Sequence, residues 1–344
     1  MKTKILCTLG PSSLSPEVIR GLDERGVALF RINLSHTPPE RVAETVELVR
    51  RHSSTPICLD TQGAQVRCGP VADDVTLVRG SRVRLAAEGP EGTAESLTLW
   101  PGFVFETLQV DSAVAIDFDG VLLRVRSVGD GWADAEVFEG GRVRSNRAVV
   151  ITPAPALPPV TDDDQESIAI GAKLGITHYA LSFASCAADV DLLRTLTPPG
   201  SHIISKIESR AGVTNVDEII ETSDAVLVDR GDLSREVPFA YVPFYQKMIV
   251  RQANRANRPV YVATNLLESL VTGSRATLAE CNDIANTLLD GVHGLVLAAE
   301  TAIGVDPLKA VDLVRNSIDA FEHVSSSVLL HQERTGSPSW TRAA

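Results

Sequence analysis

The chain has 344 residues, 44% of them hydrophobic, and carries 32 basic against 44 acidic side chains for a net charge of −12. That is enough material for one large core plus a smaller domain, and the acidic balance excludes a general binder of nucleic acid or of membrane surfaces, either of which needs a positive field. Five scattered cysteines (Cys7, Cys58, Cys68, Cys186, Cys281) form no Cys-x-x-Cys pair, so neither a disulfide framework nor a zinc site is expected. With no hydrophobic leader from Met1 to Pro11, the expected location is the cytoplasm.

Short apolar runs alternate with segments of helical period. Lys4 to Thr8 precedes a helix from about Pro16 to Glu24, Ala28 to Leu34 precedes one from Pro39 to Arg51, and Pro56 to Asp60 is a third run. The text then changes. From Pro70 to Ile151 it is rich in Val, Gly and Asp-Gly pairs, with alternating stretches such as Ser81 to Leu85, Ala113 to Phe118, Val121 to Val128 and Trp132 to Val137. This predicts an inserted small β domain whose core includes Trp100 and Trp132.

Thr161-Asp162-Asp163-Asp164 supplies a helix cap and first-turn acids for a helix to about Leu174. Strand-like His178 to Phe183, Ile203 to Ile207, Ala225 to Val228, Pro259 to Ala263 and Gly294 to Ala298 follow, each with a helical segment behind it, the last from about Pro307 to Phe321. Three βα units before the insertion and five after it predict an α/β protein, a (β/α)8 TIM barrel over 1–69 and 152–324 with a small β-barrel domain over 70–151 inserted after strand three. An open doubly wound sheet would bring a Gly-rich nucleotide loop, and neither GxGxxG nor GxxxxGK[ST] occurs. Residues 325–344, rich in Ser, Gly, Pro and Arg, are expected to be a disordered tail.

A barrel of this kind keeps its chemistry at the C-terminal ends of its strands. Polar residues crowd there: Arg31, Asn33, Ser35 and His36; Asp60 and Thr61; Ser182; Lys206 and Glu208; Asp229 to Asp232; Thr264 and Asn265; Glu300 and Thr301. Lys206 and Glu208 share a side of their strand, so a cation and hard oxygen ligands meet at one mouth, suited to a divalent metal and a developing anion. A buried structural ion pair is the bland alternative. Only six lysines occur in the chain, which weighs against an incidental Lys206. His52, His178, His202, His293 and His323 show no metal-ligand spacing and read as isolated surface or core residues.

Thr3-Lys4-Ile5-Leu6-Cys7-Thr8-Leu9-Gly10-Pro11, Phe30-Arg31-Ile32-Asn33-Leu34-Ser35-His36, Ile204-Ser205-Lys206-Ile207-Glu208, Arg230-Gly231-Asp232-Leu233 and Glu300-Thr301-Ala302 resemble the pyruvate kinase family, in order and spacing from about Lys2 to Ala320. The resemblance implies transfer of phosphate from phosphoenolpyruvate to ADP through a metal-bound pyruvate enolate. It implies Glu208 and Asp232 as ligands of Mg2+ or Mn2+, Lys206 at the enolate and the phosphoryl group in flight, Arg31 on the phosphate, and Thr264 at the substrate carboxylate and the face of proton delivery. The backbone at Gly231 and Asp232 would receive that carboxylate, with Ser182, Asp229 and Arg230 lining the same substrate site. Asn33, Ser35, Asp60 and Thr61 match a K+ site, and Pro11, His36, Arg67 and Arg147 match nucleotide contacts, Arg67 also standing near the transferred phosphate.

The sequence departs from that family at telling places. Asp229 stands where a small apolar residue is usual, Gln62-Gly63-Ala64-Gln65 replaces Lys-Gly-Pro-Glu and leaves potassium dependence open, Asn265 replaces glutamine, and Ile303 and Arg41 replace a lysine and a tyrosine. The family's C-terminal domain has no counterpart, so its usual allosteric control is not expected, and a dimer through barrel surfaces is. Besides a minimal kinase, two alternatives stand: a repurposed pyruvate-enolate enzyme (lyase, decarboxylase or transferase) and a non-catalytic ligand sensor.

Overall fold

The computed structural model describes residues 3–116, 120–273 and 275–335. Two compact units make up the chain, one of residues 1–62 and 160–344 and the other of Gly63–Pro159. In the larger unit, Lys4–Leu9, Leu29–Asn33, Ile57–Asp60, His178–Leu181, His202–Ile207, Ala225–Asp229, Val260–Ala263 and Gly294–Leu297 pair in parallel and close in sequence order into an eight-stranded barrel. These are barrel strands one to eight. The expected (β/α)8 class is therefore the observed one. The insertion falls inside the third unit, between strand three and its helix Asp162–Lys173, so two complete βα units precede it.

Side chains of a strand alternate between the barrel interior and the helical shell. The outward set, with Ile5, Phe30, Leu59, Tyr179, Ile203, Val226, Val262 and Leu295, packs against Ile19, Val46, Ile168, Leu193, Ile249 and Val314 of the helices. The inward set begins with an apolar layer that includes Leu6, Leu29, Cys58, Ala180, Ile204, Leu227, Tyr261 and Val296. Two residues further along each of several strands, the interior turns polar: Thr8, Arg31, Asp60, Ser182, Lys206 and Asp229 are all buried. The apolar layer closes the barrel floor, and the polar layer above it is the functional end.

The smaller unit is a closed barrel of seven strands, with the core residues Val83, Leu85, Leu97, Leu99, Val114, Leu123, Val125, Ala133 and Ala135. The boundaries expected at 69/70 and 151/152 lie inside this unit, because Val66–Cys68 pairs with Ser96–Trp100 and Ala148–Thr152. Trp100 does not enter the core: Leu97 and Leu99 take the inward positions and Trp100 is 59% exposed. Trp132 is half-buried, with the Arg84 guanidinium 4.3 Å from its ring centre. Of the expected strand Ala113 to Phe118, the part Ala113–Ile116 forms, and its last two residues lie outside the described residues.

The final helix runs from Pro307 to Thr335, beyond the expected end at Phe321 and through the first half of the expected tail. Leu329, Leu330, Gln332, Glu333 and Arg334 are good helix formers and no Gly or Pro intervenes before Gly336, so propagation continues. Residues 336–344 of that expectation lie outside the described residues. Among the described residues, no helix is long and apolar enough to cross a membrane.

Candidate active site

Lys206 is the hub. It sits two residues above Ile204 of the apolar layer on strand five, 4% exposed, with its Nζ 3.3 Å from Glu208 Oε2, 3.4 Å from Asp60 Oδ2 and 3.7 Å from Asp229 Oδ2. Burial alone would lower its pKa, but Asp60, Glu208 and Asp229 outweigh that and raise it above the ordinary lysine value. The ammonium is therefore a fixed charge. Arg31 of strand two is a second one: its Nε and Nη2 hold Asp60 Oδ2 and its Nη1 donates to Thr8 Oγ1 at 2.9 Å. Burial opposes its charge too, and Asp60 and Asp229 again win.

Four carboxylates face these two cations. Glu208 is fully buried; its Oε1 accepts the Phe183 amide at 2.8 Å, while Oε2 accepts no hydrogen bond among the described residues. Burial pushes the Glu208 carboxyl well above the usual range, Lys206 pulling against it and Asp229, Asp232 and Asp60 pushing with it. Lys206 and Glu208 thus both shift upward although they are partners, because the carboxylates around the lysine outweigh its burial while the glutamate is raised first by burial and then by Asp229, Asp232 and Asp60. Asp229 at the end of strand six behaves otherwise: burial raises it, but Lys206, Arg31, the Thr264 hydroxyl and the Gly231 amide hold it below the usual range. Asp232, in the short helix Arg230–Glu236, is partly exposed, pairs with Arg235 at 2.8 Å, and is raised by burial and by Asp229.

Carboxylate oxygens of Glu208, Asp229 and Asp232 all lie within 4.8 Å of one another. An orphaned buried oxygen in an all-oxygen donor set beside surplus negative charge fits a hard divalent cation. Asn33 and Asp60 are register partners on strands two and three, Thr61 follows, and Ser182 links to both Asp60 and Thr61, its amide donating to Thr61 Oγ1 at 2.9 Å. Asn33 Oδ1 accepts the Ser35 amide at 3.0 Å, and Ser35 itself is exposed.

Thr264 and Asn265 follow strand seven with φ of +71° and +54°. A β-branched residue in the left-handed region is strained and persists only where its surroundings hold it. Arg230 does the holding. Its Nε and Nη2 donate to the Thr264 carbonyl at 3.1 and 2.7 Å, Nη2 also reaches the Asn265 carbonyl at 3.1 Å, and Nη1 meets Asp283 and Gln246. Expected to line the substrate site, the Arg230 guanidinium instead braces the loop that presents Thr264. The Thr264 hydroxyl accepts the Gly231 amide at 3.2 Å, a close approach that glycine eases, since a Cβ there would stand 3.1 Å from Thr264 Cγ2, tighter than ordinary van der Waals contact.

Pro11 and His36 lie exposed on loops after strands one and two. Arg67 and Arg147 belong to the smaller unit, where Arg67 donates to the Asn146 carbonyl and to Gln65 Oε1, and the Arg147 carbonyl accepts the Cys68 amide. Sequence reasoning gave no role to Thr8, Gln246 or Asp283. The first was visible as an inward position of strand one; the other two come from distant helices and carry no local signal. Glu300, fully buried, accepts the Leu267 and Ala298 amides and so ties two strand-end loops together.

The family model described as the barrel domain of pyruvate kinase matches residues 1–311. Pyruvate kinase of Staphylococcus haemolyticus is 32% identical over 97% of this chain, and that of Methylorubrum extorquens 34% identical over 98%. The chain spans 59% of the first relative's length and 72% of the second's. The crystal structure of a pyruvate kinase from Cryptosporidium parvum superposes with a TM-score of 0.86 at 30% identity, covering all of this chain and 73% of that one. With this match along the barrel and its insertion alike, the chain belongs to the pyruvate kinase family.

Proposed function

We propose that this chain is a pyruvate kinase-like phosphotransferase that moves the phosphoryl group of phosphoenolpyruvate to ADP and leaves the enolate of pyruvate to be protonated. The carrying observation is Lys206, a buried ammonium kept charged by Asp60, Glu208 and Asp229. A lysine so held is a poor proton donor and a strong fixed charge, so its part is electrostatic: it stabilises the phosphoryl oxygens in flight and the enolate oxygen left behind. Arg31, locked against Asp60, supplies a second preorganised cation for the phosphate.

Glu208 and Asp232 would hold Mg2+ or Mn2+, which when bound neutralises the negative charge of the substrate. Asn33, Ser35, Asp60 and Thr61 would hold K+. The Thr264 hydroxyl and the Gly231 amide would receive the substrate carboxylate, Ser182 would contribute to the substrate site, and Pro11 and His36 on the barrel loops would serve the nucleotide. A cytoplasmic enzyme, dimeric through barrel surfaces, is the setting this reading carries. Pyruvate formation from phosphoenolpyruvate and ADP with magnesium tests it.

A second reading is favoured by one specific observation. The Asp229 carboxylate already holds the Thr264 hydroxyl, and that hydroxyl accepts the Gly231 amide, the two donors that a substrate carboxylate would need. A repurposed lyase, decarboxylase or transferase working through the pyruvate enolate would show metal-dependent proton exchange at the methyl group of pyruvate without nucleotide turnover. Absence of any exchange excludes it.

A further inference from the structure

The buried charge at the barrel mouth does not balance. Among the described residues, Asp60, Glu208, Asp229 and Asp232 face Lys206 and Arg31 within it, while Arg235 pairs with Asp232 from the rim, its side chain 32% exposed. Surplus carboxylate in a low-dielectric interior is costly unless a cation or a proton offsets it. The second observation is Glu208 Oε2, a fully buried oxygen with no hydrogen bond among the described residues, on a side chain that brings one carboxylate oxygen within 4.8 Å of oxygens of Asp229 and Asp232. Among the described residues, Lys206 at 3.3 Å is the cation within ion-pair distance of it, and that ammonium is shared with Asp60 and Asp229.

Asp229 suits a ligand. It is only 5% exposed, and its Oδ1 is held by the Thr264 hydroxyl at 2.5 Å, which fixes the carboxylate plane. Its Oδ2 lies 3.7 Å from the Lys206 ammonium, beyond hydrogen-bond length. An ordinary structural carboxylate would spend both oxygens on donors.

We propose that Asp229 is a third carboxylate ligand of a divalent-cation site shared with Glu208 and Asp232, so that the substrate-free protein holds the cation more tightly than Glu208 and Asp232 alone would. This rests on the phosphotransfer reading only in assigning a cation to Glu208 and Asp232. Three carboxylates from two adjacent strand ends and one helical turn form a hard, all-oxygen set that selects magnesium, manganese or calcium over softer ions.

The test is a titration of the purified, chelator-treated protein with Mn2+, read by the loss of the free-ion electron paramagnetic resonance signal, with no phosphoenolpyruvate, pyruvate or nucleotide present. Wild type is expected to bind one Mn2+, displaceable by Mg2+. Asp229→Asn, which preserves the acceptor for Thr264, is expected to bind about tenfold more weakly or worse, and Asp229→Glu to lie between the two. The rise in melting temperature on adding Mn2+ should shrink in the same order. If Asp229→Asn folds poorly, Asp229→Ala is read the same way. Mn2+ affinity within twofold of wild type in the folded variant, or no Mn2+ bound by wild type at millimolar concentration, overturns the proposal. Turnover is scored separately: intact Mn2+ binding without pyruvate formation counts against the phosphotransfer reading and not against Asp229 as a ligand.

Discussion

Asp229 Oδ1 accepts the Thr264 hydroxyl at 2.5 Å, and this bond ties the ends of barrel strands six and seven together directly over Gly231. On the phosphotransfer reading, an internal carboxylate thus occupies the hydroxyl that an incoming carboxylate would use. Removing it should free that donor. With saturating magnesium, Asp229→Ala is expected to lower the KM for phosphoenolpyruvate by roughly tenfold, the worth of one or two recovered charge-assisted hydrogen bonds, with little change in kcat. Steady-state kinetics of the two proteins decides it; an unchanged or higher KM means that Asp229 is not in the way.

Arg230 braces the strained Thr264–Asn265 loop through carbonyl contacts that need a planar fork. Lysine keeps the charge and loses the fork, so Arg230→Lys should destabilise the protein by about 2–4 kcal/mol. Asp283→Asn, which removes one partner at the far end of the same guanidinium, should cost less. Urea melts of the two variants give the ranking, and equal loss in both would remove the bracing role.

Asp164 is fully buried and accepts the Gln62 amide at 2.7 Å, the Thr161 amide at 3.1 Å and the Thr161 hydroxyl at 2.8 Å. It closes the capping box of Asp162–Lys173 and pins the end of the segment after strand three. Asp164→Ala leaves those donors without it in a buried setting and should cost about 2–3 kcal/mol. Chemical denaturation measures this, and a loss under half a kcal/mol would contradict it.

The histidines expected to be isolated are not all so. His178 and His202, register partners on strands four and five, stand with ring centres 5.3 Å apart. Burial lowers both below the ordinary 6.5, His178 further because of His202, with Asp224 partly restoring His202. A folded-state pKa below the unfolded value means that the unfolded chain takes the proton first. Stability is therefore full above about pH 6.5 and falls as the pH drops below it, by up to about 1 kcal/mol per pH unit for each ring. Melting curves from pH 7.5 to 5 should show the decline, and His178→Gln should flatten it; an equal slope in the variant would reject the pair as its source.

The barrel and most of its mouth were legible in the sequence because both follow from a two-residue period. Once Ile204 is an inward position, so are Lys206 and Glu208, and the same count takes Cys58 to Asp60 and Leu227 to Asp229. What did not show were destinations set by distant chain. Arg230 reads as part of a substrate motif, yet its direction is decided by Gln246 and Asp283, which lie 16 and 53 residues away. The domain boundary at Gly63 was hidden because Val66–Cys68 is too short to reveal its partners, and the long last helix because three serines at Ser325 look like an end while the helix formers after them continue it.

On the proposed reading, Lys206 is the fixed charge of a phosphoryl transfer from phosphoenolpyruvate. The most direct measurement is pyruvate formation from phosphoenolpyruvate and ADP with magnesium, with and without potassium, in wild type beside Lys206→Met. The account predicts steady turnover in wild type and a loss of at least about 10²–10³-fold in the variant, with the fold and the melting profile of the variant intact. Folded, cation-loaded wild type that makes no pyruvate, or a Lys206→Met variant that makes it as fast, would contradict the account.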